Sequence, residues 1–298
     1  METRISEKTV VVTGATSGIG LAVAEELVRS GASVIGIGRS AERCAAAQAG
    51  LHRLNPEPWV AYLTADLSVQ GEVRGLGNQV RDLLDTWNRQ ALDGLVNNAG
   101  TFSYWLTLTA DGVELQWAVN HLAAFLLTNT LLPMLQAAPL ARVVTVSSGS
   151  HYNARLDWND LQLRRHYNGL QAYGNTKLAN ILFTREMNRR LGEESTVRAF
   201  AADPGLVKTD IGMKGTPGIV SWVWKLRRSG GITAAEAARG ICYLLTEPSI
   251  QDVPSSYWKH GQPKAASHEA QNCLNAARLW KISSQMCGLP VEECYANA

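Results

Sequence analysis

Tyr173 and Lys177 stand four positions apart in the stretch AYGNTKLANILF. Leu178, Ile181, Leu182 and Met187 continue a helical pattern around them, so the phenol and the ammonium would share one helix face. A free tyrosine has a pKa of ~10 and is a poor base near neutrality. A lysine beside it, joined by a second positive charge, would favour the tyrosinate; lowering the pKa to about 7 takes roughly 4 kcal/mol. A tyrosine so tuned can give a proton to a carbonyl oxygen or take one from an alcohol. Alone, the pair reads more readily as two amphipathic residues that share a helix face, since a Tyr-x-x-x-Lys match is common by chance. The deciding question is whether a cofactor site and further polar groups converge on the phenol.

A cofactor site is signalled near the N-terminus. TGATSGIG (13–20) follows the β-branched run TVVVTG and opens the helical pattern IGLAVAEELVRSG. Its glycines, Gly14, Gly18 and Gly20, follow G-x-x-x-G-x-G spacing. Such a strand-to-helix turn lets backbone approach a pyrophosphate and aims a helix N-terminus at it. The next strand ends IGIGRS, with Gly38 and Arg39 where a carboxylate would bond a ribose 2′-hydroxyl. A guanidinium there pairs with a 2′-phosphate, which favours NADP(H) over NAD(H), unless Arg39 is merely a solvated surface arginine. Further polar groups follow at strand ends. They are Asp66, the NNAG of 97–100, Asn120 inside a helix, the adjacent Ser147 and Ser148, and the PG of 204–205. Only one of the two serines can face a cleft from a strand. Asn120 could instead bond a neighbouring backbone, Asp66 could cap the next helix, and His121 reads as a packed or surface residue.

The elements that must position these groups alternate along the chain. Apolar strands are expected at 9–14, 32–38, 59–66, 93–100, 141–148 and 196–205, with helices near 69–86, 110–137 and 170–191. Continuously apolar strands separated by helices predict an α/β fold: a single doubly wound Rossmann-type parallel sheet with helices on both faces. At ~150 residues per domain the 298 residues allow two domains. No repeat or linker divides them, so one domain over 1–298 is expected. It carries an insertion at about 206–231, rich in Gly, Trp and basic residues, and a C-terminal extension at about 250–298. The insertion would sit at the carboxyl edge of the sheet, as a lid over an apolar substrate, as core packing, or as a peripheral membrane contact; the lid is the favoured reading.

The net charge of +2 makes no electrostatic case for nucleic acid. Five cysteines without C-x-x-C spacing argue against a disulfide framework and a zinc site, and no metal is expected. The charged N-terminus has no signal-peptide pattern, and no apolar run reaches the ~18 residues of a spanning helix. A cytoplasmic location without a transmembrane segment is the expectation. NHLAAFLLTNTLLPML is apolar over more than one face and LANILF adds a second stripe, which suggests burial in a homodimer or tetramer.

Glycine loop, Asp66, NNAG, Asn120, Ser148, Tyr173, Lys177 and PG occur in an order that resembles the classical short-chain dehydrogenase/reductase family over about residues 7–250. TADGVELQWAVNHLAAFLLTNTLLP, VVTVSSGSHYNARLDWNDLQ and AYGNTKLANILFTREMNRRL are similar to its retinol-dehydrogenase-like branch, and the tail 263–289 extends the likeness. The resemblance implies Tyr173 as general acid/base and Lys177 as holder of the nicotinamide ribose and stabiliser of the tyrosinate. It implies Ser148 as donor to the substrate oxygen and Asn120 as anchor of a water linking Lys177 to solvent. It gives the pyrophosphate to Gly14, Thr16, Ser17, Gly18, Ile19 and Gly20, the adenine to Asp66 and Leu67, and the adenosine half to Asn98, Ala99 and Gly100. Pro204, Gly205, Val207 and Thr209 fall on the nicotinamide side.

The implied reaction interconverts a small-molecule carbonyl and its alcohol, apolar as in much of that branch. Ser148, Tyr173, Tyr152 and Trp222 are candidate substrate contacts. Departures from the branch are NHLAAF for NHLGHF and DPG, with Asp203, for HPG; neither change is expected to touch the proton-transfer groups. Ser148 and Tyr173 are 25 residues apart, longer than is usual in the wider family. The intervening loop carries Tyr152, Trp158 and Tyr167, as a pocket wall or as cover for the helices. Two other functions compete. A non-catalytic NADP(H) sensor or scaffold would not need the proton donor. A protochlorophyllide-reductase-like enzyme would need a pocket cysteine, and none lies between Cys44 and Cys242.

Overall fold

The computed structural model describes residues 5–207, 231–251, 253 and 255–291. Eight strands form one sheet in the order β3-β2-β1-β4-β5-β6-β7-β8. They are β1 Thr9–Thr13, β2 Ser33–Gly38, β3 Val60–Thr64, β4 Gly94–Asn97, β5 Ala141–Val146, β6 Val197–Asp203, β7 Tyr257–Lys259 and β8 Gln262–Pro263. All neighbours are parallel except β7 and β8. Strand order reverses beside β1, which pairs with β2 on one side and β4 on the other. Loops at such a switch point splay apart and leave a crevice at the carboxyl edge.

The helices are α1 Gly18–Arg29, α2 Ala41–Leu54, α3 Gln70–Thr86, α4 Leu115–Gln136, α5 Gly169–Leu191, α6 Ala234–Thr246, α7 His268–Gln271 and α8 Cys273–Met286. They form two layers. Apolar side chains alternate between the two faces along β1 to β7, so these strands feed both cores. One core joins Val11, Ile35, Leu95 and Val143 to α3, α4, α5 and α8. The other joins Val10, Val12, Val34 and Val144 to α1 and α6.

The six expected strands and all the expected helices are present, the pattern after the glycine loop as α1. The chain before β7 carries no apolar run long enough to announce a strand, and β7 and β8 add five residues to the sheet. α4 spans 22 residues with a mean hydropathy of 1.3, enough by length and composition to cross a membrane, against the expectation that no segment would be. Its apolar window is 72% buried, because it lies between the sheet and its neighbouring helices as a core element.

The second apolar stripe, which motivated the oligomer expectation, is covered by α8 of the same chain. Trp280 stacks on Phe183 with centroids 5.8 Å apart and meets Phe125 edge-on at 4.9 Å. Gln70 Nε2 donates to Met286 O at 3.0 Å and Arg74 bonds Cys287 O, tying the end of α8 to α3. Association through this face therefore requires α8 to leave it.

Thr209, Trp222 and most of the 206–231 insertion lie outside the described residues. Its two ends meet: Val207 bridges to Ile232, and Ile232 N donates to Leu206 O at 2.8 Å.

Candidate active site

The loop between β1 and α1 is shaped by missing side chains. Gly14 has φ +66°, and a Cβ there would lie 3.0 Å from both Ala99 Cα and Asn98 Nδ2. A Cβ on Gly20 would lie 2.3 Å from Gly14 O. The end of β4 grips this loop. Asn98 Nδ2 donates to Thr13 O at 2.9 Å, and the N–H groups of Asn98 and Ala99 both donate to Thr13 Oγ1 at 3.0 Å. Ser17 is the N-cap of α1 but makes no side-chain cap bond. The first-turn N–H groups of α1 thus keep the anion-binding character of an open helix N-terminus.

A bare loop, an open helix N-terminus and a switch-point crevice fit a dinucleotide pyrophosphate. Gly18, Ile19 and Gly20 form the first turn of that helix. Arg39 is exposed just beyond Gly38. Arg43, which sequence reading did not single out, lines a cleft of about 330 Å³ together with Thr16. Asp66 is not the cap of α3; its Oδ1 accepts the Ser68 N–H at 2.9 Å, and Val69 takes the N-cap position. Leu67 packs half-buried against the core. Gly100 is half-buried after the Asn98–Ala99 clamp, and Pro204 and Gly205 turn the chain out of β6.

Tyr173 and Lys177 lie on the second and third turns of α5, which Asn168 caps by accepting from Leu170 N and Gln171 N. Lys177 is buried and donates from Nζ to Val146 O at 3.0 Å. Its Nζ lies 5.4 Å from the centroid of the half-buried Tyr173 ring. The adjacent serines divide as alternation requires. Ser147 is buried and donates to Lys177 O at 2.8 Å, while Ser148 is half-buried with its Oγ accepting the Ser150 N–H at 3.3 Å. Asn120 sits in a π-helical turn, Ala118–Leu122, inside α4. Such turns re-aim side chains and often mark functional positions. Its Oδ1 accepts Thr101 N at 2.7 Å, and its Nδ2 donates to Thr101 O at 3.0 Å and Thr176 Oγ1 at 3.2 Å. The Asn120 side chain therefore pins the loop after β4 to α5.

The electrostatics run opposite to the sequence expectation for Tyr173. Burial pushes its pKa up to about 12, and the negative charge of Asp203 adds to the rise. Burial pulls Lys177 down to about 8, and Asp203 opposes that fall. With the protein's own groups, Tyr173 is neutral and Lys177 mostly cationic at pH 7. A lowering by a cationic nicotinamide has to work against burial.

Two buried histidines support this set, and burial lowers the pKa of each. His121 is fully buried, and burial lowers its pKa to about 4. Asn180 Nδ2 donates to Val146 O at 3.1 Å, which leaves its Oδ1 3.4 Å from His121 Nδ1; His121 Nε2 lies 2.8 Å from Ser283 Oγ. A polar chain thus runs from α8 to the carbonyl that holds Lys177. His151, in the 3₁₀ turn Gly149–Asn153, accepts the Ser267 N–H at Nε2, so its Nδ1 carries the proton and donates to Ser148 O at 2.8 Å. Burial lowers the pKa of His151 as well.

Asn180 and His151 went unremarked in the sequence because their partners lie far away along the chain. The signal available was a polar residue amid the apolar positions of α5. The loop aromatics are used as cover. Tyr152 is partly exposed and donates to Ala265 O at 2.6 Å; Tyr167 donates to Glu114 Oε1 at 2.8 Å; Arg278 lies over the Trp158 ring at 4.6 Å. Phe102 stands against Tyr173, edge-on at 6.0 Å.

Comparison with known proteins bears on this geometry. The family model described as short chain dehydrogenase matches residues 8–218. The chain belongs to the short-chain dehydrogenase family. Within it, the chain is retinol-dehydrogenase-like: it is 36% identical to human retinol dehydrogenase 14 over 95% of this chain and 87% of the relative. Human retinol dehydrogenase 13 is 34% identical, over 96% and 86%. Among solved structures, an uncharacterised protein from Mycobacterium paratuberculosis matches with a TM-score of 0.73 and 34% identity over 96% of both chains. A Burkholderia cenocepacia short chain dehydrogenase, solved in complex with NADP, shares the fold with a TM-score of 0.68 at 24% identity over 86% of this chain and 97% of that one. The membership makes the chain an oxidoreductase of carbonyls and alcohols that uses a nicotinamide cofactor.

Proposed function

We propose that this chain is an NADP(H)-dependent reductase of apolar aldehydes or ketones, reversible to alcohol oxidation, with Tyr173 as the proton donor. What supports the reading is the placement of Ser148 just beyond β5, of Asn120 bonded to Thr176 beside Lys177, and of Lys177 Nζ 5.4 Å from the Tyr173 ring centroid. The cofactor, when bound, supplies the hydride. The chain supplies the rest. The Ser148 hydroxyl donates to the carbonyl oxygen as charge develops there. Tyr173 passes its phenolic proton to that oxygen, completing the alcohol and leaving a tyrosinate. Lys177 stabilises the tyrosinate and grips the ribose.

Arg39 and Arg43 support a 2′-phosphate, hence NADP(H), and Thr16, Ser17, Asp66, Leu67, Asn98, Ala99, Gly100, Pro204, Gly205 and Val207 complete the cofactor cradle. Phe102 beside Tyr173, with the exposed Trp105, Leu106 and Leu170, supports an apolar substrate; Tyr152, whose hydroxyl is held by Ala265 O, offers its exposed ring as a further contact. One domain carries the whole activity. Cys44, Cys242, Cys273 and Cys287 are free, which supports a reducing compartment such as the cytoplasm. The test is a panel of aldehydes, ketones and alcohols, including retinal and steroids, followed by NADPH absorbance. Turnover confined to apolar carbonyls is expected. No turnover of any of them, with NADPH bound normally, would contradict the reading.

A further inference from the structure

Asp203 is the buried ionisable group that stands closest in effect to the proton-transfer pair without belonging to it. Ala199 and Ala201 of β6 join the core on the α5 side, and Phe200 and Ala202 join the other. Asp203 continues the first series and so faces α5. The sheet register sets Ala202 beside Val146, whose carbonyl takes the Lys177 ammonium. The Asp203 side chain is 3% exposed. Its Oδ1 accepts the Gly205 N–H at 2.8 Å and its Oδ2 the Tyr257 hydroxyl at 2.7 Å. A Cβ on Gly149, next to Ser148, would lie 3.6 Å from that Oδ2. Among the described residues no cation pairs directly with the carboxylate. Its charge is therefore fixed in place and left to act on its surroundings.

We propose that Asp203 is a positioning residue for the proton-transfer pair: a fixed negative charge that keeps Lys177 an ammonium and opposes ionisation of Tyr173, so the pair rests in the state that donates a proton to a carbonyl. This rests on Tyr173 being the donor. The same charge raises the pKa of both residues. The other titratable neighbours are accounted for. β7 contributes Tyr257 and Lys259, and His260 follows it with its N–H on Asp203 O. The 3₁₀ turn contributes Tyr152 and a neutral His151, and Lys264 lies over the Tyr152 ring. Among the described residues neither Lys259 nor Lys264 forms an ion pair with the Asp203 carboxylate.

A merely structural Asp203 would tie β7 to β6 through Tyr257 and do nothing to proton transfer. Asp203→Asn keeps the shape and the acceptor and removes the charge; Tyr257→Phe removes the bond and keeps the charge. Alcohol oxidation by the full chain with NADP+ is followed against pH. In parallel, tyrosinate absorbance is titrated without cofactor, as the difference between each protein and its Tyr173→Phe counterpart.

Asp203→Asn is expected to move the ascending limb of alcohol oxidation and the tyrosinate midpoint to lower pH by about one unit, the lower end of what a neighbouring charge does. Asp203→Ser, a second neutral variant, should move them the same way. Asp203→Glu should restore the parent limb, and Tyr257→Phe should leave it unmoved. An unmoved limb in both neutral variants, or an equal shift in Tyr257→Phe, overturns the proposal while leaving Tyr173 as donor. Full turnover by Tyr173→Phe overturns the donor reading and this proposal together.

Discussion

At the β1–β4 side of the carboxyl edge, the site is made by backbone. Gly14 and Gly20 leave room, Thr13 holds the loop to Asn98 and Ala99, and α1 offers bare N–H groups. At the β5–β6–β7 side, it is made by buried polar side chains whose partners are distant. Lys177 and Asn180 meet Val146 O, His121 reaches Ser283, His151 reaches Ser267, and Asp203 takes the Tyr257 hydroxyl. The first side needs only that certain atoms be absent, and a short motif encodes it. The second needs polar atoms in a dry interior to be satisfied one by one, because an unpaired buried group costs about 1–3 kcal/mol. Much of that satisfaction comes from the C-terminal segment.

If this division is right, substitutions on the two sides should fail differently. Lys177→Met, on the catalytic side, should lower kcat by at least ~10²-fold and also weaken NADP(H) binding, since one ammonium serves both. Surviving alcohol oxidation should rise toward higher pH, where Tyr173 can ionise unaided. Unchanged cofactor affinity by calorimetry would remove the ribose role.

Acid should attack the same side. His121 is neutral in the fold with its pKa lowered to about 4. Its contribution is present above its unfolded value of ~6.5 and is lost as pH falls toward 4, an effect of about 3 kcal/mol. Urea midpoints measured from pH 7 to 4.5 should decline over that window. A flat profile would mean that His121 accepts a proton without disturbing the Asn180–Ser283 chain.

Leu279→Ala tests whether the C-terminal helix is part of the core. Leu279 is 1% exposed in the core that contains Phe125 and Phe183, so the substitution should cost roughly 2–4 kcal/mol in chemical denaturation. A loss well under 1 kcal/mol would mean that α8 packs loosely, and light scattering of the variant would then show whether a second copy takes its place.

Arg39→Asp, on the backbone-built side, should leave stability alone and reverse a preference for NADP(H) of at least about tenfold, since a charge-assisted pair contributes about 1.5 kcal/mol. Equal affinities of the parent for both nucleotides would end the 2′-phosphate assignment.

The same contrast explains what the sequence made legible. β1, β2, β4 and β5 announce themselves because each is apolar and buried along its length, and β3 and β6 because each carries a short apolar run, although β3 is only partly buried. The glycine loop does so because its geometry is local. β7 and β8 were hidden because they have three and two residues, and their place is fixed by β6 rather than by their own pattern. The apolar stripes of α4 and α5 suggest burial in a homodimer or tetramer; that Trp280 of the same chain covers Phe125 and Phe183 depends on a chain path that periodicity does not contain. Asp203 was noted as a departure thought not to touch the proton-transfer groups. It makes no hydrogen bond to them, yet its charge acts on both, a consequence of strand alternation visible only once β6 is set beside β5. Ser148 was chosen over Ser147 by resemblance, and the Ser147–Lys177 carbonyl bond supplies the physical reason.

If Tyr173 gives up the proton, single-turnover reduction by Tyr173→Phe shows it. The phenylalanine keeps the ring against Phe102 and removes only the hydroxyl. With a carbonyl the parent reduces well, the account predicts NADPH affinity within about twofold of the parent and a rate of NADPH consumption lower by at least ~10²-fold. Near-parental turnover by Tyr173→Phe would contradict it, and would leave Tyr173 and Lys177 as two residues that share a helix face.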